Sequence, residues 1–188
     1  IYHLYQKIRS KYSLKKLLTL LLICCKAFSR ENSLLNAPQV KDLIKRVLKK
    51  MDLHSPEASD LVYKTGKVES GYEYLKQIKG PARGLFRCES WVAVDICKNY
   101  LAYRKGLMRK VADATKVKLS YFVEPNEEDW SYILETNLAA QIAMCRLHYR
   151  RIPKPLPSSL EGQAKYWKKY YNSMAGRGTV EDFLVRSA

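Results

Sequence analysis

Acidic residues are scarce in this chain of 188 residues: 18 Asp and Glu stand against 34 Lys and Arg, for a formal net charge of +16. An imbalance of that size points to a polyanionic partner or surface, whether nucleic acid, anionic lipid or bacterial cell wall. Long apolar runs are missing too. No stretch reaches the roughly 18 apolar residues of a standard membrane-spanning helix, so the sequence offers no candidate for one. Histidine is rare, with only His3, His54 and His148, none of them clustered with a cysteine, and no C-x-x-C pair occurs. A zinc site is therefore not expected, and neither is any other metal or cofactor. Internal repeats and low-complexity tracts are absent. Alternation of the kind a half-buried strand shows is confined to Lys118–Val123.

What is present is a core. Hydrophobic residues make up 47% of the chain, which rules out disorder along its whole length. The length suits one domain. The five cysteines, Cys24, Cys25, Cys88, Cys97 and Cys145, form an odd set and read as mostly reduced and buried rather than as a disulfide framework. The charge is uneven. Residues 1–50 hold 12 Lys and Arg against Glu31 and Asp42, a net +10, and residues 51–188 are only mildly basic at +6.

The chain opens at Ile1. Residues 1–16 are basic and aromatic, and Leu17 to Cys25 is a nine-residue apolar run closed by Lys26. That is the outline of a signal peptide without a small-x-small cleavage site. A short amphipathic helix or a poorly packed extension is the preferred reading of residues 1–36. A helical domain is expected over 37–188.

Helix starts are legible. Asn36-Ala37-Pro38 and Ser55-Pro56-Glu57 each place a capping side chain before a first-turn proline. Val40, Leu43, Ile44, Val47 and Leu48 then recur at helical spacing. After Ser55 the stripe is Ala58, Leu61, Val62, Thr65 and Val68, ending near Gly71. Residues 77–87, with Gly80, Pro81 and Gly84, read as a loop. Helices are expected from Ser90 through Tyr103 and over 105–118. Past a turn at Glu124-Pro125-Asn126, Leu134, Leu138, Ile142, Cys145 and Tyr149 give the longest helical signal, with His148 on its polar edge. Pro153, Pro155 and Pro157 form an extended connector. Ser159 caps a helix through about Tyr171, Gly176 to Gly178 break it, and Thr179-Val180-Glu181-Asp182 opens a last short helix. The class is mainly α.

The stretch that carries chemistry is Val68-Glu69-Ser70-Gly71, followed by Gly80-Pro81-Ala82-Arg83-Gly84-Leu85-Phe86-Arg87. Glu69 lies near the C-terminal end of an apolar-faced helix, where the partial negative charge opposes ionisation of a carboxylate. Partial burial would oppose it further. A glutamic acid kept protonated near neutral pH is what general-acid catalysis requires.

These residues resemble the signature of lytic transglycosylases and goose-type lysozymes: Glu-Ser, then Ala-x-Gly-Leu-x with its Gly fifteen residues after the Glu, then Tyr-Asn, matched by Tyr171-Asn172. The likeness is closer to a group of phage-encoded lysozyme-like proteins, through Asn99-Tyr100-Leu101-Ala102-Tyr103-Arg104, Tyr166-Trp167-Lys168-Lys169-Tyr170-Tyr171-Asn172 and Gly176-Arg177-Gly178-Thr179-Val180-Glu181-Asp182-Phe183. It covers about residues 40–188. The resemblance implies a lysozyme-like helical domain cleaving peptidoglycan between N-acetylmuramic acid and N-acetylglucosamine. It makes Glu69 the catalytic acid/base and puts Ser70, Gly84, Leu85, Phe86, Arg87, Tyr171 and Asn172 along the glycan groove. Glu89 is the candidate second carboxylate for a hydrolytic route, or else the structural partner of an Arg. The setting it implies is a phage virion or the bacterial envelope, with peptidoglycan and other virion proteins as partners.

Two departures sit beside the expected site. Arg87 stands where the family has Gln, and Arg cannot accept a hydrogen bond; it could instead grip a peptide-stem carboxylate or Glu89. Ser90-Trp91-Val92-Ala93-Val94 is more apolar than the family's run. They motivate the alternative of a lysozyme-like structural virion protein with a degraded site. A nucleic-acid-binding role, suggested by Lys45, Arg46, Lys49 and Lys50, ranks below both: a solvated helix face accounts for those residues and no recognition motif accompanies them.

Overall fold

In the computed structural model residues 35–172 and 176–187 are described. They belong to the larger of two units, Leu34–Ala188. The apolar run from Leu17 to Cys25, Cys24, Cys25, His3 and the extension over 1–36, apart from its last two residues, lie outside the described residues.

The described chain is mainly helical, as the periodicities predict. Helix α1 (Ala37–Lys50) starts on Asn36, whose side chain accepts from the Gln39 amide. Helix α2 (Pro56–Ser70) starts on Ser55, whose hydroxyl accepts from the Ala58 amide at 3.1 Å. Each cap satisfies an amide that the first turn leaves unpaired, worth about 1 kcal/mol. Helix α2 ends at Gly71, which takes the left-handed conformation (φ 62°) that favours glycine. Helix α3 (Ser90–Ile96) runs into a π-helical turn over Cys97–Leu101, so the helix expected through Tyr103 widens and stops two residues early. Helix α4 spans Lys105–Thr115 and α5 Ser120–Val123.

Helix α5 occupies the segment that alternates like a strand. Only Phe122 is buried there, edge-on to Trp130 with ring centroids 5.2 Å apart, and the Tyr121 carbonyl accepts from the Trp130 indole. No strand forms among the described residues to pair with it; isolated bridges join Lys76 to Arg83 and Arg83 to Cys88.

The longest helical signal is two helices, α6 (Glu127–Thr136) and α7 (Leu138–Arg150). Asn137 breaks it. Its Oδ1 accepts from the Ala140 amide and its Nδ2 donates to the Thr115 carbonyl, both at 2.9 Å. Side-chain capping outcompetes helix continuation at an Asn. Helix α7 is buried on nearly every side, from Ala140 through Leu147 and at Tyr149. It forms the axis of the core, against which α1, α2, α3, α4 and α6 pack. Helix α8 (Leu160–Tyr170) follows the proline connector, capped by Ser159, and α9 (Val180–Ser187) packs on α2 and α8.

One polar clamp sets the position of α8. Gln163 is fully buried; its Nε2 donates to Asp60 Oδ2 at 3.0 Å, and its Oε1 accepts from Lys64 Nζ at 3.0 Å. One turn later on the same face of α8 comes Trp167. The clamp therefore fixes where that indole meets α2.

Candidate active site

Glu69 occupies the next-to-last position of α2. Its Oε1 accepts a hydrogen bond from the Trp167 indole nitrogen at 2.9 Å. The side chain opens into a cleft of about 710 Å³, lined among others by Arg87, Glu89, Tyr171, Asn172 and Arg177. That volume lies within the range of ligand sites. Surrounding protein strips water from the carboxyl and pushes its pKa from 4.5 up to about 7. The Trp167 hydrogen bond and the nearby charges of Arg87 and Arg186 oppose that rise without cancelling it. At neutral pH the group is thus divided between acid and carboxylate, the poise general acid–base work needs. Sequence reasoning anticipated the direction; its main cause is desolvation.

The Gly80–Arg87 loop is held by three helices. The Ser70 hydroxyl, from α2, donates to the Leu85 carbonyl at 2.7 Å and accepts from the Tyr72 amide. The Gln141 side chain, from α7, accepts from the Leu85 amide at 2.9 Å. The Tyr171 hydroxyl, just beyond α8, donates to the Phe86 carbonyl at 2.7 Å. Gly84 has φ +72°, and a Cβ there would lie 2.6 Å from the Leu134 carbonyl oxygen and from Gln141. Glycine is required on both counts.

This arrangement divides the expected groove residues. Arg87, Tyr171 and Asn172 line the cleft with Glu69, and so does Glu89. Ser70, Gly84, Leu85 and Phe86 lie beneath it. All four are buried, with Phe86 wholly inaccessible, and their polar groups are spent on holding the loop. They position the cleft wall rather than touch its contents.

Arg87 has a positive φ of 51°, its amide donates to the Gly84 carbonyl, and its guanidinium lies 5.8 Å from the Tyr74 ring centre. Its Nε is buried without a hydrogen-bond partner. Among the described residues it forms no ion pair with Glu89. The Glu89 carboxylate accepts from the Trp91 indole instead, so its structural partner is a Trp and not an Arg. Asn172 accepts at Oδ1 from Lys168 Nζ at 3.0 Å, and the same ammonium reaches the Gly176 carbonyl.

His148 departs from expectation. It is not on a polar edge but packs against Tyr171, with ring centroids 4.8 Å apart. Burial, aided by Arg151, pushes its pKa down to about 4. It is a neutral ring behind the cleft wall.

Sequence reasoning missed Trp167 as a donor to Glu69, Gln141 as the anchor of the loop and Arg186, which donates to the Val68 carbonyl at the end of α2. The Trp lay inside a quoted motif, but the motif gives no direction for its indole. Among the described residues no group of three His, Cys, Asp or Glu side chains is placed to hold a metal ion. Comparison of the chain with models of protein families, with curated proteins and with solved structures finds no match.

Proposed function

We propose that this protein cleaves the glycan strands of peptidoglycan between N-acetylmuramic acid and N-acetylglucosamine, as a phage-derived lytic transglycosylase or lysozyme. The observation that carries the reading is a single one: a carboxyl group at a helix end, opening into a polar cleft, with its pKa held near neutrality. Glu69 protonates the glycosidic oxygen, and an oxocarbenium-like centre develops on the muramic sugar. Trp167, whose N–H favours the ionised form, stabilises the carboxylate left behind. On the transglycosylase route that carboxylate then takes the proton of the muramic 6-hydroxyl, closing an anhydro ring. Glu89, on the same cleft, is the residue to activate water in an inverting hydrolysis.

The test is clearance of purified cell walls. Glu69→Gln lowers the rate at least about 100-fold, the usual contribution of a general acid, with no loss of melting temperature. Equal clearance by both proteins rejects Glu69 as the acid. Mass spectrometry of the products separates anhydro from hydrated ends.

One observation favours a second reading, a lysozyme-like structural protein of the virion: the cation Arg87 stands on the cleft where the resembling families carry Gln. Wild-type inactivity with recovery in Arg87→Gln supports a degraded site. Inactivity of both supports a structural role.

A further inference from the structure

A second cavity shares no lining residue with the Glu69 cleft, and the proposed cleavage makes no use of it. It holds about 450 Å³ and opens where the π-helical turn, α4 and α5 meet.

Its wall is aliphatic and open to solvent. Leu119 and Val123 stand one turn apart, the Val123 amide donating to the Leu119 carbonyl at 3.2 Å. They are 41% and 60% exposed, large apolar side chains that the fold leaves in water at the edge of a cavity. Ala102, also exposed, continues that wall, and Met108 backs it. The π-helical turn brings Cys97 and Lys98 to the same cavity. Such a turn interrupts regular α-helical bonding and is frequently found at functional sites.

The mouth is basic. Lys98, Lys105 and Arg109 line the cavity and are exposed, and no Asp or Glu lines it. Among the described residues none of the three cations forms an ion pair. Lys105 and Arg109 are four apart on α4 and share a face, where like charges repel. An anion at the mouth relieves a repulsion that the protein leaves uncompensated.

We infer that this cavity binds a single-chain amphiphile with an anionic head group. The acyl chain lies against Leu119, Val123 and Met108, and the head meets Lys98, Lys105 and Arg109. The volume falls in the range of small-ligand sites. A nucleobase needs an open aromatic face on which to stack, and Phe122, the one ring on the cavity, is only 1% exposed. A partner helix brings a row of anchors at i, i+3, i+4 and i+7 along a groove, more than one cavity of this size receives. Lys and Arg lay their methylenes along apolar surface and keep the charge in water. That places cations where the head of a buried chain emerges.

The experiment titrates the intact protein with laurate below its micelle concentration, by calorimetry, with methyl NMR to locate the site. One laurate per chain should bind saturably below about 1 mM, moving the methyl signals of Met108, Leu119 and Val123. Decanoate and then octanoate should bind about tenfold more weakly at each step, the transfer contribution of two buried methylenes. Dodecyltrimethylammonium, with the same chain and the opposite charge, should bind at least tenfold more weakly than laurate. Lys105→Glu with Arg109→Glu, both exposed, should cost at least tenfold with the melting temperature kept, and so should Val123→Asp on the open wall. No saturation by about 1 mM, equal binding of the ammonium, equal binding by both variants, or shifts confined to other methyls overturns the assignment. So does retention on anionic vesicles without binding of monomeric laurate, which marks a lipid surface instead. The readout is binding, so these results stand apart from any loss of wall clearance in Glu69→Gln.

Discussion

At the scale of single residues, Glu69 and His148 pull the protein's pH dependence in opposite directions. A carboxyl whose folded pKa is raised from 4.5 to about 7 favours folding below pH 4.5, and that contribution is lost as the pH climbs through 7. Glu69→Gln should therefore gain stability over the wild type above pH 7, by about 1–2 kcal/mol once the cleft's access to water is discounted. The two should converge below pH 4.5; urea unfolding at pH 4 and pH 8 measures the difference. A histidine depressed from 6.5 to about 4 acts the other way. Its contribution is complete above pH 6.5 and fades toward pH 4, so His148→Gln should flatten the acid side of the same curve. Trp167→Phe removes a hydrogen bond that favours the Glu69 carboxylate. Its pKa should rise further, moving the alkaline fall of the clearance rate to higher pH, with the melting temperature as a control for packing. Glu69 itself was legible in the sequence because a helix end and an apolar face are local patterns. Its partner was not, since Trp167 lies 98 positions away and only the tertiary fold chooses which way an indole points.

At the scale of elements, the Gly80–Arg87 loop owes its shape to neighbours more than to its own residues. The glycines and proline announced a loop, and Gly84 proved necessary. The three anchors, Ser70, Gln141 and Tyr171, come from α2, α7 and the end of α8. Gln141→Leu should leave the buried Leu85 amide unpaired at a cost of about 1–3 kcal/mol. It should also release the turn that presents Arg87, so wall clearance falls more than the stability loss alone explains. Chemical denaturation and clearance rates on one preparation test both halves. Helix starts at Asn36, Ser55 and Ser159 were readable because a cap and its amide sit within three residues. The helices α6 and α7 merged into one signal because apolar spacing continues across Asn137, and the competing bond to Thr115 spans 22 positions. The alternation at Lys118–Val123 misled for a related reason: only Phe122 is taken into the core, so the pattern had no sheet face to describe.

At the scale of the whole molecule, the basic excess bears on the proposed binding to cell walls. Lys45, Arg46, Lys49 and Lys50 lie exposed on α1, and Arg46 pairs with Asp42 one turn away. They form an exposed, basic face of that helix. Between about 0.01 M and 0.15 M salt the Debye length falls from about 30 to about 8 Å. Retention on cell walls should drop several-fold over that interval, with little change in melting temperature; sedimentation of protein with walls checks it. The three described cysteines extend the view from surface to interior. Cys88, Cys97 and Cys145 are buried and unpaired, and burial pushes the thiols of Cys88 and Cys97 up to about 12 and raises that of Cys145 as well. Since only the thiolate reacts quickly with an alkylating reagent, these sulfurs are silent while the fold is closed. Each becomes a chemical clock for its own neighbourhood. Iodoacetamide labelling mapped by mass reads how often the packing around α3, the π-helical turn and α7 opens, one sulfur at a time.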